Sequence, residues 1–347
     1  MSLPSDTHAF YSDNTASVAP ELLAALAAAN VGPQKAYGDD PWTVQLDAAC
    51  SEFFGLPVRA FIVTTGTAAN ALSLATLAPP YGNVYAHSGA HVVEDECGAV
   101  EFFSGGARLT LVPGDHGRID CQALEQAIAA HPASVHTVQP AALTLTQATE
   151  LGTTYRPQAI AALCAVAHRH GLRVHMDGAR LANAIAFLDC HPADVTWRAG
   201  VDVLSFGATK NGALAAEAVV FFEPALVRDF ELRRKRAGHL LSKSRYAAAQ
   251  LLTYMRSGLW RTHAQRANRL AQQLATAAGP RLVHPVEANE LFLDLGVAGK
   301  AALRAQGFGF YDWGAAASPE ARFVVSWDQT HSSVDALCQA LKAVPAA

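Results

Sequence analysis

The chain has 347 residues, 51% hydrophobic and 16% charged, with a formal net charge of −4. That composition suits one large domain plus a smaller one around a substantial core, and it argues against a nucleic-acid or anionic-membrane binder, which would carry a basic excess. Cys50, Cys97, Cys121, Cys164, Cys190 and Cys338 are scattered and form no CxxC pair, so neither a disulfide framework nor a zinc site is expected.

Residues 1–19 read as an irregular N-terminal arm. Their start has no basic head followed by an apolar core, so no signal peptide is expected, and the scattered cysteines read as reduced and cytoplasmic. A helix is predicted over Pro20–Ala29, opened by proline. Turn chemistry follows at Tyr37-Gly38-Asp39-Asp40-Pro41, then a helix over Trp42–Phe54 closed by Gly55. From Val58 strands and helices alternate. Strand Val58–Thr64 leads into a helix ending near Leu77, and strand Val84–His87 into one over Ala90–Phe103. Strand Arg108–Val112 precedes a helix capped by Asp120, and strand Thr137–Leu145 a helix starting at Pro157. This order predicts an α/β fold, a mostly parallel mixed sheet with helices on both faces. After Pro224 the pattern becomes a smaller α+β C-terminal domain. The large domain is placed at 20–240 and the small one at 241–347, with the boundary inside 224–280 and a long helix bridging it. The basic run Arg233, Arg234, Lys235 and Arg236 falls on a helix and reads first as a solvated face.

The chain is organised around Leu172–Gly212. Two apolar runs, Leu172–Met176 and Val201–Phe206, deliver Asp177 and, through Gly207-Ala208-Thr209, Lys210. They are far enough apart for one crossover between parallel strands, which puts both strand tips on one edge of the sheet, where such folds bind ligands. A lysine amine and a fixed carboxylate in one crevice are what pyridoxal 5'-phosphate (PLP) needs. The amine condenses with its aldehyde, and the carboxylate keeps the pyridine nitrogen protonated. The plainer alternatives are a helix-capping aspartate and a surface lysine.

Other residues converge on that edge. Thr65-Gly66-Thr67-Ala68-Ala69-Asn70 lies between a strand and a helix, where free N–H groups suit one phosphate; no GxGxxG or P-loop is present, which sets a nucleotide-dependent dehydrogenase well back. His91 follows the next strand and suits a place against an aromatic ring or near the substrate Cβ, with His87 as a competitor among 14 histidines. Arg180 is positioned to hold a phenolic oxygen or a carboxylate, or simply to pair with Asp177 three residues away. Arg322 heads an apolar strand and suits a carboxylate, or is an ordinary strand-edge arginine.

Taken in order, Ser12-Asp13-Asn14, Tyr37-Gly38-Asp39-Asp40, Thr65–Asn70, Gly89-Ala90-His91, His175-Met176-Asp177-Gly178-Ala179-Arg180, Lys210 and Arg322-Phe323-Val324-Val325-Ser326 resemble the PLP-dependent L-threonine aldolases. Ala90–Gly106 and Ser205–Gly212 are similar to the low-specificity branch that includes phenylserine aldolases. The resemblance spans nearly the whole chain and implies the fold-type I, aspartate aminotransferase-like architecture. It implies that Lys210 links to PLP, Asp177 pairs with its pyridine nitrogen, Gly66 and Thr67 hold its phosphate and His91 stacks on its ring. It also implies that Ser12, Arg180 and Arg322 hold the substrate carboxylate. It implies further that Tyr37 borders the site from a neighbouring subunit of a homodimer or homotetramer, and that one of Arg233–Arg236 reaches the neighbour's phosphate. The implied reaction is retro-aldol cleavage of an L-3-hydroxy-α-amino acid (threonine, allo-threonine or phenylserine) to glycine and an aldehyde, with His91 or an ordered water as the base. β-Elimination or transamination on the same fold, and non-catalytic PLP or ligand binding, are the alternatives.

One segment departs from the family. Many members carry a histidine in a Glu-Asn-Thr-His segment; here the chain reads Leu145-Thr146-Gln147-Ala148-Thr149-Glu150. Gln147 is the expected replacement beside the cofactor, and an amide is no base at neutral pH.

Overall fold

The apolar runs bounded by turn residues become strands, and the computed structural model describes them for residues 8–131 and 134–344. The first seven residues, on which part of the arm and its targeting reading rest, lie outside the described ones. In chain order the strands are β1 (His8–Ala9), β2 (Arg59–Val63), β3 (Gly82–His87), β4 (Arg108–Val112), β5 (Gln139–Thr146), β6 (Arg173–Gly178), β7 (Val203–Gly207), β8 (Glu217–Phe221), β9 (Glu290–Asp294), β10 (Phe308–Gly309), β11 (Tyr311–Asp312) and β12 (Glu320–Val324).

Seven of them form one sheet in the order β2-β8-β7-β6-β5-β3-β4. The pairs from β4 through β7 are parallel, and β8 runs antiparallel to both β7 and β2. Every residue of β7 and β8 is buried, as helices on both faces require. One face is filled by Leu143, Leu145, Val174, Met176 and Leu204, and the other by Val63, Val84, Ala142, Val203 and Phe221. Each large apolar side chain so enclosed contributes about 1.5–3 kcal/mol.

β6 and β7 are neighbours in parallel register, with Asp177 opposite Ser205. Gly178 makes their closeness possible: a Cβ there would stand 2.6 Å from the Ser205 carbonyl oxygen and 2.7 Å from Leu204 Cδ1. β8 returns beside β7, so the loop carrying Lys210 is held between two strands.

A second core gathers around the antiparallel sheet β11-β12-β9, with Leu291, Leu293, Phe323, Val325, Leu337 and Leu341 inside. Helix Leu259–Ala278 joins the two cores. Leu259 and Trp260 pack against the first, and Leu270, Ala271 and Leu274 lie in the second. Phe10 belongs to the second core, and β1 pairs with β10, so the arm is anchored on the smaller sheet.

Three local readings change. The helix expected over Ala90–Phe103 is broken into His91–Glu94 and Ala99–Ser104. Cys97 and Gly98 take left-handed φ of 52° and 72°, and the reversal buries Glu96. Arg322 lies inside β12 rather than at its start. The basic run is not wholly solvated, because Arg234 is buried with its guanidinium 5.6 Å from the Phe61 ring centre.

Candidate functional site

A cavity of about 440 Å³ opens where the parallel strands end, lined by residues from most of them. Thr65, Gly66 and Thr67 come from the turn after β2, His91 from the segment after β3, and Thr146, Ala148 and Glu150 from the end of β5. Asp177 and Arg180 follow β6, Thr209 and Lys210 follow β7, and Glu217 starts β8. Asp177 and Lys210 therefore share one cavity.

Asp177 is held on both oxygens. Oδ1 accepts the Ala179 N–H at 3.0 Å, and Oδ2 accepts the Asn70 side-chain amide at 2.8 Å. The capping and site readings of Asp177 are thus compatible. The same Asn70 nitrogen donates to Glu96 Oε1, also at 2.8 Å, and His91 Nδ1 lies 2.8 Å from that oxygen. His91, Glu96 and Asp177 have potential ligand atoms within 4.8 Å of one another, yet the Asn70 amide already links the two carboxylates, and the arrangement is a hydrogen-bonded chain. The bond from Glu96 raises the His91 pKa, against a smaller opposing effect of burial. Beneath the cavity floor His175 is fully buried between Thr144 Oγ1 at 2.9 Å and Ser205 Oγ at 2.9 Å, and burial lowers its pKa to about 4, so it is neutral.

Thr65 caps helix Gly66–Leu77, its Oγ1 accepting the Ala68 N–H at 3.1 Å. Nothing lies within 4 Å of where a Gly66 Cβ would stand, so an anion has open access to that helix start.

The arginines form an ionic chain. Arg180 Nε and Nη2 donate to Asp13 Oδ2 and Oδ1 at 2.7 and 2.9 Å, and Arg180 Nη1 lies 3.3 Å from Glu290 Oε2. The other Glu290 oxygen, Oε1, accepts from Arg322 Nη2 at 2.6 Å. Arg180 does not take Asp177 as its partner. Burial opposes ionisation of Asp13, but the charges of Arg180 and Lys210 outweigh it and hold its pKa at about 2.

Glu150 and Glu217 are the further acids of the cavity. Burial, followed by the negative charge of Asp177, pushes Glu150 up to about 7, although Lys210 and Arg180 pull the other way. Burial likewise raises Glu217, which hydrogen-bonds Thr209.

The family model for beta-eliminating lyases matches residues 9–298. A low-specificity L-threonine aldolase of Pseudomonas aeruginosa is 43% identical over 97% of this chain and 98% of its own length. The chain belongs to the L-threonine aldolase family. The threonine aldolase structure from Leishmania major superposes with a TM-score of 0.91 at 26% identity, covering 97% of this chain and 99% of that one. An aspartate aminotransferase from Rhodobacter sphaeroides shares the fold, with a TM-score of 0.71 at 17% identity over all of this chain and 95% of that one. The architecture is that of the fold-type I enzymes, and membership of the aldolase family makes the chain a carbon–carbon lyase.

Within this aldolase framework, Gly66, Thr67, His91, Asp177, Arg180 and Lys210 all line the cavity. Ser12 does not; it caps the turn Asp13–Thr15, and its neighbour Asn14 reaches the cavity wall. Arg322 lies behind Glu290. Tyr37 is 54% exposed in a separate hollow with Arg59 and Arg234, and the Lys235 ammonium lies 4.8 Å from its ring centre. Gln147 is not at the cavity. It is fully buried, its amide exchanging two hydrogen bonds with the Tyr155 backbone at 2.9 and 3.0 Å. The residue of that segment that lines the cavity beside Thr146 and Ala148 is Glu150. Sequence position alone does not mark Asn70, Glu96, Glu150 and Glu290 as site residues. The signal they do carry is that of acids flanking apolar stretches, Glu290 at the head of ELFLD and Glu150 just past β5.

Proposed function

We propose that this chain cleaves L-3-hydroxy-α-amino acids to glycine and an aldehyde, with PLP as cofactor. The observation that carries the reading is the shared cavity of Lys210 and Asp177, with an open helix start at Gly66 on its rim. The residues fit the group. Lys210 presents the amine that joins its aldehyde. Asp177, held by Asn70 and Ala179, would pair with the pyridine nitrogen. Gly66 and Thr67 would offer backbone N–H groups to its phosphate, and His91 would cover a ring face. When bound, PLP supplies an electron sink for the pair left on Cα.

The protein's own part is selection and positioning. Arg180 is the arginine at the cavity wall and takes the substrate carboxylate, with Arg322 steadying it through Glu290 and Ser12 supporting the Asp13–Asn14 turn. Fixing that carboxylate sets which Cα bond stands in line for cleavage. Shared sites in a homodimer or homotetramer belong to the same reading. Tyr37 lies away from its own chain's cavity, so it reaches an active site only across a subunit boundary. A cytoplasmic location is proposed from the six free cysteines; no described helix is long and apolar enough to cross a membrane.

The test is product analysis. Purified protein with added PLP is given L-threonine, L-allo-threonine and L-phenylserine, and aldehyde, glycine and ammonia are measured. Equal amounts of aldehyde and glycine support the reading. Ammonia without glycine assigns β-elimination instead, the reaction in the name of the matching family model.

A further inference from the structure

We propose that Glu150 accepts the β-hydroxyl proton of the substrate, a role that rests on the aldolase reading above. The chain leaves β5 at Thr146 and is pinned at once. Gln147 is bonded to Tyr155, and Thr149 Oγ1 lies 2.8 Å from Thr153 Oγ1 and 3.3 Å from the His116 carbonyl oxygen. With those side chains committed to the loop, Glu150 is presented on the cavity wall beside Asp177, Arg180, Lys210 and His91.

Its setting differs from that of the other acids there. Asp177 takes bonds from Asn70 and Ala179, and Glu217 from Thr209. Among the described residues no donor is spent on Glu150. Asp177 and Glu290 disfavour its charge and Lys210 and Arg180 favour it, and with burial the balance leaves its pKa at about 7. A carboxyl so poised takes up and returns a proton near neutrality. His91 Nδ1 is engaged with Glu96, which leaves Nε2 as its acceptor, and the response of cleavage to E150Q separates the two groups.

The step balances. The O–H bond of the β-hydroxyl breaks and its proton goes to a Glu150 oxygen. The O–H electron pair becomes the second bond of the aldehyde carbonyl as Cα–Cβ breaks. The Cα–Cβ pair stays on the Cα side, which gains one proton to become glycine, so substrate and products have the same atoms.

The test is E150Q, near-isosteric and without a titrating carboxyl, read three ways. Cleavage of L-threonine should fall about 10²–10⁴-fold in kcat, the range a general base contributes, and the acid limb of its pH profile near 7 should vanish. Exchange of the glycine α-hydrogen with deuterium from solvent involves no hydroxyl and should continue at the wild-type rate. In the cofactor-free protein, the infrared carboxyl titration lost between wild type and E150Q should have a midpoint near 7. E150D should restore part of the cleavage. Wild-type cleavage and pH profile in E150Q would overturn the assignment, as would loss of glycine exchange together with cleavage. A wild-type holoprotein that exchanges no glycine hydrogen overturns the aldolase reading itself, and Glu150's role with it.

Discussion

Asn70 holds Asp177, its amide nitrogen 2.8 Å from Asp177 Oδ2, and the same nitrogen binds Glu96. Asn70→Ala therefore strips a donor from two buried carboxylates at once. Hydrogen bonds to charged groups contribute about 1.5–3 kcal/mol each. The variant should melt several degrees below wild type without cofactor, and should bind PLP roughly 10–100-fold more weakly in a fluorescence titration. An unchanged melting temperature and affinity would mean that Asp177 holds its place without Asn70.

Arg180 is the sole described cation bonded to Asp13, and it also meets Glu290. Arg180→Ala leaves buried Asp13 without its cation and Glu290 with Arg322 alone, a loss of about 3–5 kcal/mol by the usual cost of breaking such a pair. The pH dependence follows from Asp13, whose pKa is depressed from 3.8 to about 2. Its contribution is present above the unfolded value and is lost as pH falls from about 4 to about 2. Calorimetric melts of wild type and R180A should differ most near neutrality and converge in acid.

Glu150 has the opposite sign. Its pKa is raised from 4.5 to about 7, so the folded state binds the proton more tightly and loses stability as pH rises through that interval. The penalty above pH 7 is on the order of 3 kcal/mol. Cofactor-free E150Q should therefore be more stable than wild type at pH 8, with the advantage shrinking toward pH 4. A constant difference across that range would show that the carboxyl titrates normally.

Gly178 directly follows Asp177 where a Cβ would crowd the Ser205 carbonyl oxygen at 2.6 Å. Gly178→Ala should cost about 1–3 kcal/mol through overpacking. It should also lower PLP affinity, because relief of the clash moves the β6 tip that carries Asp177. Denaturant melts and cofactor titration check both effects.

The core of the site is legible in the sequence because topology does the placing. Once β6 and β7 are parallel neighbours, Asp177 and Lys210 must emerge on one edge. Thr65–Gly66 and His91 follow for the same reason, each just past a strand of that sheet. The supporting residues are less legible because irregular backbone places them. Glu96 turns inward only through the left-handed Cys97–Gly98 pair, which interrupts what reads as a continuous helix. The choice between Gln147 and Glu150 depends on how the chain leaves β5, and spacing from the strand does not fix that. Arg322 reads from the sequence as a carboxylate ligand or a strand-edge arginine, and its tie to Glu290 depends on the β9–β12 register, in which Arg322 pairs with Phe292 and Glu290 with Val324.

The most direct test of the central claim is chemical trapping. The protein is loaded with PLP, reduced with borohydride, digested and mapped by mass spectrometry. The account predicts one pyridoxyl phosphate adduct per chain, on the peptide containing Lys210, and none in Lys210→Ala. An adduct on another lysine, or no adduct in the wild-type protein, would contradict it.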